Sequence, residues 1–422
     1  MKYLNNPSLF TSETAAISRF LNYVAFETTS DAASDAWPST PGQTVLAEHL
    51  VEELKELGTE NVQIDENGYV LAIKSGTTTG SIALIAHLDT SDAFCGKNVK
   101  PQIHTNYDGS EIQLKNGVVI SPNENEQLKN CVGHTIITAD GTTLLGADDK
   151  AGIAIIMGVL EYLQKNPLIP HPTLYICFTP DEEIGRGAER FPLDKVPAEF
   201  GVTVDGTFVG ELNIETFEAY SIDVTFEGVS VHPGYAKGKM VNALRHMARF
   251  IEALPMAQSP ESTENKEGFI HPVAVCGDTT KCTVSLIVRD FTSAGAKEKC
   301  GAVESLVAKI QNQEPRLKSN VKIEFNYPNM FKYIESHEEL VTNIKSAISR
   351  ANIVPSIVPI RGGTDGANLS KKGLVTPNLF TGAMNLHGPR EWVSTTNMGV
   401  SFCTLMNLLM NHSDTANRGT NG

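Results

Sequence analysis

The apolar run Leu174-Tyr175-Ile176-Cys177-Phe178 leads into three adjacent carboxylates, Asp181, Glu182 and Glu183. Like charges this close repel, and in a partly dry place they cost free energy unless something positive lies between them. Similar placements recur along the chain. His87-Leu88-Asp89 follows the apolar stretch 81–86, Asp205 follows Val202-Thr203-Val204, and His387 lies beyond 378–380. Asp148-Asp149-Lys150 opens a long apolar segment. Two histidines among carboxylates, with no cysteine, suit zinc, or cobalt or manganese in its place. The surplus of carboxylates favours two ions sharing one aspartate, a pair able to polarise a carbonyl and activate a water. In that reading Glu183 is a ligand, and Glu182, pointing elsewhere, is the base that takes the proton from the water.

Taken singly, each motif has an ordinary explanation. A His-x-Asp triplet is commonly a surface hydrogen bond, and Asp148 or Asp149 suits the electropositive start of a helix. Acids after a strand often form a solvated turn, and His387 alone carries no signal. Position is what joins them. An open α/β sheet collects ligand groups beyond the carboxyl ends of its parallel strands, and here several separate strands deliver His, Asp or Glu to that edge.

The elements that must position them can be read from periodicity. Helices are predicted over 11–27 and over 43–57, the latter stopped by Gly58, followed by a hairpin about Asn67-Gly68 and a strand at 81–86. The segment 148–165 is apolar almost all round, as a helix packed between layers would be. Strands at 173–178 and 202–204 complete an α/β alternation, which argues for a mixed, mostly parallel sheet flanked by helices. From 213 the texture changes: 219–226 and 282–290 alternate apolar and polar residues, with helices expected at 238–253 and 295–312. After 330 the first style returns, with a helix at 336–351, a strand at 356–360, the loop "RGGTDGANL", a strand at 378–380 and a helix at 395–411. The chain therefore reads as a catalytic domain, 1–212 and 331–413, interrupted by an inserted α+β domain, 213–330, with a disordered tail at 414–422.

Bulk properties narrow the function classes. A chain of 422 residues, 41% apolar and 20% charged, is ordinary for a globular protein of two domains. A net charge of −15 without any Lys/Arg run argues against a nucleic-acid partner. No segment has the pattern of a signal peptide or the length to cross a membrane. Seven scattered cysteines without a Cys-x-x-Cys pair suggest reduced thiols and a cytoplasmic location.

The blocks "HLDT" (87–90), "GADDKAG" (146–152), "FTPDEEIGRGA" (178–188), "TVDG" (203–206), "VHPGYAKGKMVNAL" (231–244), "RDF" (289–291), "IRGGTDGA" (360–367) and "LFTGAMNLHG" (379–388) occur in order. Together they resemble the tripeptide aminopeptidases of the dinuclear-zinc aminopeptidase and amidohydrolase family. The resemblance implies a zinc-exopeptidase fold with an inserted lid domain and two zinc ions per subunit, with cobalt or manganese as substitutes. It implies that His87, Asp148 and Asp205 hold one ion and that Asp148, Glu183 and His387 hold the other. Asp148 bridges in this assignment, because the bridging aspartate of the family precedes an x-Lys pair. Asp89 would orient the His87 imidazole, Glu182 would be the general base, and His232 of the lid would help to hold the oxyanion. Asn242, Arg289 and Arg361 fall where substrate-binding groups are expected, the arginines as forks for a peptide carboxylate.

The implied reaction is hydrolysis of the N-terminal peptide bond of a tripeptide by a metal-bridging water. Small peptides would be the partners, with no nucleic acid and no membrane, and a homodimer is compatible with the lid. The same residues would serve a related amidohydrolase removing an acyl group or cleaving dipeptides. A metal-dependent binding protein without chemistry would lack Glu182 or a ligand, and a two-metal phosphoesterase would need a basic clamp.

Overall fold

The computed structural model describes residues 3–419, with side chains through residue 412. Its main sheet has eight strands. Across the sheet they are Glu60–Ile64, Val70–Lys74, Thr173–Thr179, Ser81–His87, Phe200–Gly206, Asn378–Phe380, Glu211–Asn213 and Ser356–Ile357. The four in the middle, from Thr173–Thr179 to Asn378–Phe380, run parallel. Antiparallel pairing appears toward both sides, at Val70–Lys74 and at Glu211–Asn213. The central strands are buried on both faces, which is why they read as continuous apolar runs without alternation. Since they run the same way, they release the chain at one edge, and His87 and Thr179 lie in register there.

The helix Ala147–Lys165 packs against strands Ser81–His87 and Phe200–Gly206, and against helices Ala16–Tyr23 and Thr395–Gly419. Covered on all sides, it is buried from Ala147 to Leu163 almost without a break, as its unbroken apolar sequence demands. Its approach to the sheet depends on Gly152, where an added Cβ would meet the carbonyl oxygen of Val204 at 2.0 Å. Gly152→Ala is therefore expected to lower stability by about 1–3 kcal/mol through overpacking. A reduced midpoint of chemical denaturation in metal-free protein would register this loss.

A second, four-stranded antiparallel sheet has the order Ala383–Met384, Trp392–Ser394, Ile136–Thr138, Gln102–His104. Trp392, Ile136 and Met384 form a small core there with Ile120 and Leu128. The segment carrying His387 is thus braced from both ends by paired strands.

The chain divides into two compact units, one of 1–214, 333–358 and 364–422, the other of 215–332 and 359–363. The second unit is an antiparallel sheet ordered Phe269–Gly277, Lys281–Asp290, Glu218–Glu227, Lys318–Tyr327. Alternate residues Ile222, Val224, Phe226, Val284, Leu286 and Val288 pack under helices Ala243–Glu252 and Ser293–Gln313. Residues 359–363, expected in the catalytic domain, pack with this unit instead. Thr216 bridges Ile360 in parallel fashion, and Arg361 binds carbonyls of Asn265 and Glu267.

Other differences are local. The helix expected over 11–27 is two short ones, Leu9–Ser12 and Ala16–Tyr23, and the strand expected at 356–360 is only Ser356–Ile357. The loop "RGGTDGANL" contains a helix, Asp365–Lys371. The last helix, Thr395–Gly419, extends into the stretch expected to be disordered, whose end at 420–422 lies outside the described residues.

Candidate active site

Five side chains expected to share a site do converge at the strand edge. The Asp148 carboxylate lies between two imidazoles, with Oδ1 2.9 Å from His87 Nε2 and Oδ2 3.1 Å from His387 Nε2. His387 Nε2 is also 3.0 Å from Glu183 Oε1, and His87 Nε2 is 3.5 Å from Asp205 Oδ1. Ligand atoms of His87, Asp148 and Glu183 lie within 4.8 Å of one another, and so do those of His87, Asp149 and Asp205.

Backbone geometry is adapted to this convergence. Asp148 and Asp149 have non-helical dihedrals at the start of their helix, and Asp181 and His387 sit at φ 61° and 62°. Left-handed backbone on a non-glycine residue costs free energy and clusters at working sites. The turn carrying Glu182 and Glu183 is held from several sides. Asp89, fully buried, accepts hydrogen bonds from the backbone N–H of Glu182 at 2.9 Å and of Glu183 at 3.1 Å. Its own carbonyl oxygen is 3.0 Å from His87 Nδ1, which places the ring proton on Nδ1 and leaves Nε2 facing Asp148. Asp181 accepts from the Ser39 backbone N–H and Gln43 Nε2, and its own N–H donates to Gln43 Oε1.

Several buried groups here escape sequence reasoning. Asp365 accepts from Thr179 Oγ1 at 2.7 Å and lies so near Gly187 that an added Cβ would come within 2.3 Å of its carboxylate. Asp149 accepts from the backbone N–H of His87 and of Gly152. Glu391 accepts from the N–H groups of Leu145, Gly146 and Asp148. Lys150, 1% exposed, donates to the Phe26 carbonyl. Asp149 and Lys150 stand in a motif already singled out, but nothing in spacing separates their roles from that of Asp148. Asp365 stands in a glycine-rich stretch read as a loop, and Glu391 belongs to no periodic pattern.

Electrostatically the cluster carries more acid than it can ionise. Burial lifts Asp205 to about 6 and Glu183 to about 7, with the Asp148 charge adding to the latter. Burial likewise raises Glu182 well above its ordinary range, with the Asp205, Asp365 and Glu183 charges adding to the shift. Asp148 resists its own burial because hydrogen bonds to His387 and His87 hold it well below the usual carboxylate range. Its bond to His387, with the Glu183 carboxylate 3.0 Å away, lifts this imidazole to about 11. Glu183 Oε1 is buried without a well-directed hydrogen bond, despite the nearby imidazole. A set of hard oxygen donors and imidazoles that keeps protons for want of other positive charge fits divalent cations of the zinc type.

The remaining candidates lie on the second unit. His232 is exposed, lies beside Tyr235 with ring centroids 5.3 Å apart and the rings tilted by 43°, and accepts at Nδ1 from the Gly234 N–H. That bond leaves Nε2 protonated, a donor. Asn242 caps the helix Ala243–Glu252 by accepting from the Arg245 N–H. Arg289 donates through Nη1 to the Tyr220 and Val288 carbonyls and lies over the Tyr327 ring. Arg361 directs both Nη1 and Nη2 at the segment 263–267 and stacks over Phe217. Its donors thus hold a loop of its own unit.

Comparison with known proteins gives consistent matches. Residues 134–411 match the model of peptidase family M20/M25/M40. A peptidase T of Geobacillus sp. strain WCH70 is 46% identical over 387 residues, covering 90% of this chain and 94% of the relative. The fold is shared with a tripeptidase from Staphylococcus aureus at a TM-score of 0.75 and 20% identity, over 94% of this chain and 97% of that one. It is also shared with a dinuclear metal-binding M20 peptidase from Bacillus subtilis at a TM-score of 0.65 and 13% identity, over 97% and 99% of the two chains.

Proposed function

The chain belongs to the M20/M25/M40 peptidase family, and from that premise we propose that it is an aminopeptidase releasing the N-terminal residue of tripeptides with two zinc ions. The observation that carries the reading is the Asp148 carboxylate standing between His87 and His387, with Asp205 beside one imidazole and Glu183 beside the other. It supports Asp148 over Asp149 as the shared ligand, because the Asp148 oxygens face the two imidazoles, whereas each Asp149 oxygen accepts a backbone N–H. His87 and Asp205 would complete one position, and Glu183 and His387 the other. Ions bound there supply polarisation of a carbonyl and a lowered water pKa.

The side chains of the protein do the rest. Glu182, anchored through its N–H to Asp89, is outside the proposed ligand set and is the general base. It takes a proton from the attacking water and returns it to the leaving amine nitrogen. Asp89 fixes the His87 ring and the turn of Glu182 together. His232, donating from Nε2, would stabilise the carbonyl oxygen as it gains negative charge. Tripeptide length requires a group that senses the substrate carboxylate at a fixed distance, and Arg289 and Arg361 are the candidates. We place the enzyme in the cytoplasm; no helix among the described residues is long and apolar enough to cross a membrane.

Two tests follow from these assignments. Hydrolysis of di-, tri- and tetrapeptides and N-acyl amino acids, compared side by side, should favour the tripeptide with release of its first residue. Amidating the C-terminus of a good tripeptide should cost about 2–4 kcal/mol in kcat/KM, the range for leaving one member of a desolvated charge pair alone. Arg289→Ala or Arg361→Ala, whichever holds the carboxylate, should erase that preference. Equal cleavage of amide and acid by the wild type would rule out a carboxylate clamp. Loading should also depend on pH. His387 keeps its proton to about 11 in the metal-free protein, so metal uptake must release protons and tighten as pH rises. Titration calorimetry in buffers of different ionisation enthalpy would detect the release, and a pH-independent affinity would contradict the ligand assignment.

A further inference from the structure

Glu391 is 1% exposed and touches neither imidazole in any hydrogen bond described above. Its carboxylate instead gathers three backbone donors from the segment that leads into Asp148. Oε2 accepts from the N–H of Leu145 at 2.7 Å and of Gly146 at 2.8 Å, while Oε1 accepts from the N–H of Asp148 itself at 3.1 Å. These N–H groups stand at the start of the helix Ala147–Lys165, where no intrahelical carbonyl can serve them. The backbone there is irregular, with Gly146 at φ 78° and non-helical dihedrals at Asp148 and Asp149. A segment of that shape has no repeating hydrogen bonds to fix it, so an external acceptor must.

We infer that Glu391 is a positioning residue that sets the Asp148 carboxylate between His87 and His387, and thereby the spacing of the metal pair. The inference rests on the ligand reading above for its link to metal, but its geometry stands without it. Glu391 comes from the far side of the sequence, directly before strand Trp392–Ser394, which pairs with Ile136–Thr138. His387 lies four residues earlier, so one braced segment both presents an imidazole and fixes the carboxylate which that imidazole meets. A carboxylate is required because only it offers acceptors on both sides. In Glu391→Gln the amide nitrogen must face either the Asp148 N–H or the Leu145 and Gly146 pair, and donor then meets donor.

The test is Glu391→Gln, with zinc affinity measured by chelator competition and kcat and KM measured at several zinc concentrations. Zinc binding should weaken about 10–100-fold, the usual cost of altering a group that orients a metal ligand. Added zinc should recover a large share of kcat. In metal-free protein the ring resonances of His87 and His387 should shift, because Asp148 no longer meets both. Leu405→Ala, a core change elsewhere, should lower the unfolding midpoint without weakening zinc or moving these resonances. Should Glu391→Gln not accumulate folded, Glu391→Asp keeps the charge but shortens the reach, and carries the same expectations. Zinc affinity within twofold of wild type together with unmoved resonances would overturn the inference, as would equal weakening in Leu405→Ala. A wild-type protein that binds no metal would sink the proposed function instead, and the histidine resonances would still decide the role of Glu391.

Discussion

Glu182→Gln is expected to retain both metals and lose about 10²–10⁴-fold or more in kcat, the usual consequence of removing a general base. The substitution keeps the side chain's volume and the N–H bond to Asp89, which the backbone makes. What it removes is the oxygen that, in the proposed mechanism, carries a proton from the attacking water to the leaving nitrogen. KM should change little, since the base contributes to the transition state and not to holding the peptide. Glu183→Gln, one residue along, should behave differently. Glu183 Oε1 meets His387 and belongs to the proposed ligand set, so metal content should fall first and activity with it. Equal loss of metal in both variants would show that base and ligand have been assigned wrongly.

Asp148→Asn should have the largest effect on metal. One carboxylate oxygen faces His87 and the other faces His387, so both contacts depend on a single side chain. An amide in its place presents an N–H₂ to one side and gives up the negative charge that would offset the two proposed cations. The loss in affinity should exceed the roughly 10–100-fold caused by altering a group behind a ligand, and it should strike both positions at once. Asp205→Asn, at a residue 3.5 Å from His87 Nε2 and assigned to one position alone, should weaken that position more than the other. Metal titrations followed by calorimetry would separate one-site from two-site damage. Two intact sites in Asp148→Asn would remove the bridge from the account.

How far the site was legible in the sequence depended on the element that carries each residue. His87, Glu183 and Asp205 sit at or just beyond parallel strands whose unbroken apolar runs announced them, and the shared direction of those strands fixed the edge where they meet. The helix Ala147–Lys165 was equally plain, because burial on every side leaves an unbroken apolar stretch. Glu391 and Asp365 were not legible. Each acts through hydrogen bonds made across long sequence separations, to Gly146 in one case and to Thr179 in the other, and such contacts leave no period in the chain. Arg361 is a different case. Its motif placed it with the substrate groups, yet its guanidinium binds the segment 263–267, a pairing that only the fold of the second unit reveals.

The central claim is that the cluster around Asp148 is a metal centre on which peptide hydrolysis depends. The most direct measurement is metal content of the purified protein, together with tripeptide hydrolysis before chelation, after it, and after zinc is restored. The account predicts about two divalent ions per chain at saturation, loss of activity on removal and its return on reloading. Full activity in a rigorously metal-free sample would contradict it.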